Sequence, residues 1–68
     1  MNKTAEKKAK KLVKIGALKA RKTVLSEELG RMDERRETWD NADVEYAHEL
    51  QEEITELQHE INRVEKEE

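Results

Sequence analysis

In the second half of the chain, Ala47, Leu50, Ile54, Leu57, Ile61 and Val64 recur at alternating intervals of three and four residues. That spacing keeps them on one face of a helix with about 3.6 residues per turn, as an unbroken a/d heptad seam. Asp40 and Asn41 ahead of the seam are good N-cap residues, and Asp43 and Glu45 suit the positive end of a helix. No Gly or Pro follows them. The pattern predicts a helix over 42–66.

In the first half, Ile15, Leu18, Leu25, Leu29, Met32 and Trp39 share one seam, interrupted by Lys22 and Arg36, whose long stems can lie along apolar surface. The pattern predicts a helix over 12–38, with a possible bend at Gly30, which costs about 1 kcal/mol against Ala in a helix interior. A basic helical arm over 1–11 precedes it, and its lysines favour fraying. The two seams are out of phase by four residues, and the slip falls on the turn-prone Trp39-Asp40-Asn41, so residues 39–41 are read as a loop. One continuous rod absorbing the slip as a stutter is the competing reading, and it would be about 100 Å long.

The loop reading predicts a single-domain, all-α, two-helix antiparallel coiled-coil hairpin. Its register sets Met32 on Ala47, Leu29 on Leu50, Leu25 on Ile54, Leu18 on Ile61 and Ile15 on Val64. Lys22 then faces Leu57, Arg21 lies near Glu60, Lys14 near Glu67, and Glu28 is set repulsively near Glu53. Trp39 caps the core at the loop end, with Arg35 beside Tyr46.

A second stripe changes this picture. Val13, Ala17, Ala20 and Val24 repeat at intervals of four, three and four on the other side of the first helix, which is therefore apolar on two faces. A hairpin covers one of them. The other, if left in water, calls for another chain. The expectation is a homodimer, two hairpins forming a four-helix bundle through Val13, Ala17, Ala20 and Val24, with a further protein as partner.

Length limits the chemistry. Sixty-eight residues leave too little chain to wall a pocket, and a chain this short seldom stabilises itself without disulfides, metal or oligomerisation. There is no cysteine. Charged residues make up 46% of the chain, a composition that would be disordered were the apolar residues not periodic. The charge is polarised: residues 1–22 hold nine Lys/Arg against one Glu, and residues 43–68 hold two against ten acids. Opposite blocks of this kind draw each other together in an antiparallel fold. No stretch approaches the roughly 18 apolar residues of a membrane span, and no export signal is evident, so the expected location is the cytoplasm.

Catalysis is not expected. The hydroxyls of Thr4, Thr23, Ser26, Thr38 and Thr55 have no histidine in register to activate them, and Gly16 and Gly30 stand alone rather than in a phosphate-binding loop. Two Glu-x-x-His pairs, Glu45 with His48 and Glu56 with His59, resemble half of a carboxylate-bridged metal site, but the heptad places both histidines outward and about 16 Å apart. They are read as surface histidines. No metal ligands, cofactor, small-molecule substrate or membrane surface are expected. The function predicted is a non-enzymatic protein-interaction or regulatory module. The alternatives are nucleic-acid binding through Lys7, Lys8, Lys10, Lys11 and Lys14, and inhibition of a nucleic-acid-binding protein by the row Glu45, Glu49, Glu52, Glu53, Glu56 and Glu60.

Overall fold

The structure is a computed structural model that describes residues 3–67. Helix α1 spans Lys3–Glu34 and helix α2 spans Asn41–Lys66, with one 3-10 turn at Arg36–Thr38 between them. The molecule measures 55 × 15 × 13 Å. A single rod of the same chain would be nearly twice as long, so the chain is a helical hairpin. Met1 and Asn2 of the basic arm lie outside the described residues; from Lys3 onward the arm is continuous with α1, which also passes through Gly30 without a break.

α1 stops at Glu34, four residues short of the helix end expected at 38. The reason lies downstream. Asp40 is the N-cap of α2: its side chain accepts from the Asp43 N–H at 2.9 Å, and Asp43 accepts from the Asp40 N–H at 3.3 Å, a reciprocal capping box. This arrangement needs Asp40 extended, at φ −96° and ψ −176°, so the residues before it must leave the helix first. They do so through tight bonds, Arg35 N–H to Met32 O at 3.1 Å, Thr38 N–H to Arg35 O at 3.0 Å and Trp39 N–H to Arg36 O at 3.2 Å. The Thr38 hydroxyl donates to the same Arg35 carbonyl at 2.8 Å.

Trp39 closes the loop end of the core. Its ring packs on Met32, Ala47 and Leu50 together with Leu25 and Leu29. Its indole Nε1–H donates to the Met32 carbonyl at 2.8 Å, one of the carbonyls that a helix end leaves without a helical partner. The Arg36 guanidinium lies over the ring at 5.7 Å from its centroid. The Arg35 guanidinium lies 3.8 Å from the Asp43 carboxylate, across the loop on the first turn of α2.

Along the hairpin, α2 buries Ala47, Leu50, Leu57, Ile61 and Val64, whereas α1 fully buries only Met32. Ile15, Leu18, Leu25 and Leu29 are half-buried, because one narrow helix lies over them. The polar pairs depart from the heptad register. Arg21 bonds Glu53 at 2.8 Å instead of Glu60. Lys22, expected over Leu57, bends to Gln58 Oε1, whose amide donates on to Asn62 Oδ1 at 2.9 Å. The repulsion expected between Glu28 and Glu53 is relieved on both sides, since Arg31 holds Glu28 at 3.1 Å while Arg21 holds Glu53.

The core and the cap separate by magnitude. Met32→Ala removes a fully buried side chain and should lower stability by about 2 to 4 kcal/mol, whereas Asp40→Ala should cost about 1 kcal/mol. Urea titrations followed by circular dichroism at fixed protein concentration read both; equal costs would show that the loop end is held by its cap rather than its packing.

Candidate interaction surface

α1 presents two faces of different fate. Lys11, Ile15, Leu18, Lys22, Leu25, Leu29 and Met32 turn toward α2 and are half-buried or buried. Val13, Ala17, Ala20 and Val24 all lie on the other side and are exposed. Val13 is 73% exposed, Val24 61% and the neighbouring Leu12 61%. For apolar side chains of this size in a row, such exposure leaves a continuous stripe in water, which is the usual mark of an interaction surface. Between Val13 and Val24 no charged residue interrupts it: Lys14, Lys19, Arg21 and Lys22 fall to either side of the stripe.

The basic end is built differently from a simple run of free cations. Lys7, Lys8, Lys10 and Lys14 are exposed, but Lys11 is half-buried and its ammonium donates to the main-chain carbonyls of Glu65, at 2.9 Å, and Glu67. These carbonyls belong to the negative end of α2, where a cation is favoured. Lys11 therefore ties the open end of the hairpin together, and the first two turns of α1 project beyond it by about 12 Å at 1.5 Å per residue. The projecting turns carry Lys3, Lys7, Lys8 and Lys10 against Glu6 alone.

The outer face of α2 is anionic. Glu45, Glu49, Glu52 and Glu56 are exposed along it, and Glu53 and Glu60 lie half-buried at its edge. His48 Nε2 lies 3.0 Å from Glu52 Oε1, with both side chains largely in solvent, and His59 is exposed. Among the described residues, no three His, Cys, Asp or Glu side chains gather to hold one metal ion. The hydroxyls of Thr23, Thr38 and Thr55 donate to the carbonyls of Lys19, Arg35 and Gln51, so each is bonded to backbone close by in sequence. No described helix is long and apolar enough to cross a membrane.

Two features of the surface are not written in the heptads. The Lys22–Gln58–Asn62 chain could be half-read from the four-residue spacing of Gln58 and Asn62, but the reach of Lys22 across to Gln58 depends on how the helices lie. The Lys11 contacts have no side-chain signal at all, because their acceptors are backbone.

No protein-family model matches the chain, and no curated protein or solved structure matches it either.

Proposed function

We propose that the hairpin is a non-enzymatic protein-interaction and regulatory module that works as an oligomer, with the outer face of α1 as its assembly face. The observation that carries this reading is the exposure of Val13 and Val24 together with Ala17 and Ala20 on the side of α1 away from α2. A second copy covering that face brings four helices together in a homodimeric four-helix bundle and removes the stripe from water. The acidic outer face of α2 stays outward and gives a further protein partner a surface of one sign, which mainly sets encounter rate and selectivity.

Ala17→Glu with Ala20→Glu tests the reading without touching the packing between α1 and α2, since both positions are exposed. Multi-angle light scattering should show a dimer for the unaltered chain and a monomer of similar helicity for the variant. A monomeric unaltered chain across the micromolar range would overturn it.

Nucleic-acid binding is the second reading, supported by the first two turns of α1, where Lys7, Lys8 and Lys10 stand exposed ahead of the Lys11 contacts with α2. Four phosphate contacts, made with Lys14, should lower affinity for a DNA or RNA duplex about a hundredfold between ~50 and ~200 mM salt. Fluorescence anisotropy with Lys8→Glu and Lys14→Glu should then show no binding; an affinity unmoved by salt or by the substitutions removes this reading.

A further inference from the structure

The outer seam of α1 is longer than its apolar part. Continuing from Val13 and Val24 in the same alternating steps adds Glu6 and Lys10 on one side and Glu27 and Arg31 on the other. All eight residues are exposed. Read from either end, the seam runs charge, charge, Val, Ala, Ala, Val, charge, charge. The charges at mirrored places are opposite: Glu6 mirrors Arg31 and Lys10 mirrors Glu27. A seam with this symmetry is complementary to itself turned around, which is the condition for a two-fold contact in which residue i meets j and j meets i.

From this we infer that α1 is a homodimerisation helix that packs antiparallel on α1 of a second copy of this chain. Across the interface Val13 meets Val24, Ala17 meets Ala20, Lys10 meets Glu27 and Glu6 meets Arg31, each contact occurring twice. The inference rests on the proposed reading of α1 as the assembly face and adds the antiparallel orientation and the register.

A separate observation supports the occupant. One flank of the seam consists of Ala9, Gly16, Thr23 and Gly30, one heptad apart, and so contains both glycines of the chain. Glycine weakens a helix relative to alanine, and nothing inside the hairpin asks for it. Neither glycine has a positive φ, and a Cβ built on either meets no heavy atom within 4 Å. The Thr23 hydroxyl is turned back to its own helix, onto the Lys19 carbonyl at 2.9 Å. A flank this bare lets a second helix backbone come close, the use for which glycine serves where side chains would hold two chains apart.

The opposite flank holds Lys7, Lys14, Arg21 and Glu28. In the same register Lys7 faces Glu28 of the second copy, an attractive contact, and Lys14 faces Arg21 of the second copy, a repulsive one. Arg21 is already engaged by Glu53 of its own α2 at 2.8 Å, which lessens that repulsion. Arg31 is bonded to Glu28 of its own helix at 3.1 Å, so Glu6 of the second copy joins a pair that exists. The outer seam lies about 140° around α1 from the α2-facing one at roughly 3.6 residues per turn. α2 therefore does not obstruct the second copy, and the two α1 helices lie at the centre of the four.

Charge reversal tests the register. Lys10→Glu or Glu27→Lys alone places like charges opposite each other twice, and the dimer dissociation constant should rise about tenfold at low salt. Mixed in equal amounts, the two variants should pair with each other well above the statistical half, with homodimers and heterodimer resolved by charge on a native gel, and both changes in one chain should restore the original affinity. Statistical mixing, with dimers intact that Ala17→Glu and Ala20→Glu still abolish, overturns the register while the assembly face stands. A monomeric unaltered chain overturns both. Gly16→Leu should keep the helicity of the hairpin and lose the dimer; unchanged dimer affinity would overturn the close approach.

Discussion

The structure depends on a mismatch between faces and helices: α1 is apolar on two sides, and a two-helix hairpin has one helix with which to cover them. α2 takes the side that carries Leu25, Leu29 and Met32, where its own seam is continuous and buries Leu50, Ile61 and Val64. Choosing the other side would leave those larger side chains in water in exchange for burying alanines, and burial free energy scales with the apolar area removed from water. The small-residue side is left over, and the hairpin so formed is stable on one face and open on the other.

Charge and packing divide the remaining work. The cross-helix pairs Arg21–Glu53 and Arg35–Asp43 are largely exposed, and pairs of that kind contribute little stability individually. Their effect is to favour the antiparallel partner, since the basic first half of the chain finds acids only when α2 folds back. Lys22 works in the same direction. A cation in an apolar seam costs stability but limits the registers in which its head can find a partner, here Gln58. The proposed dimer would use the same logic a second time, with two apolar layers of each kind at the centre and opposite charges at the ends.

What the amino-acid order determined by itself is the number of helices, the place where the chain turns and which positions of α2 face inward. Each of these follows from local causes: a three-four spacing fixes a helical face whatever lies opposite, and Asp40 with Asp43 caps a helix through bonds three residues apart. The palindrome of α1 is legible on the same terms, because Val13, Ala17, Ala20 and Val24 share a face by spacing alone.

Only the tertiary structure decided where α1 ends and what Arg21, Lys22 and Lys11 touch. Long side chains choose among acceptors as much as two turns apart, and a heptad letter does not say which one lies nearer once the helices are laid side by side. The acceptors of Lys11 are main-chain carbonyls, present at every residue and freed only where a helix stops.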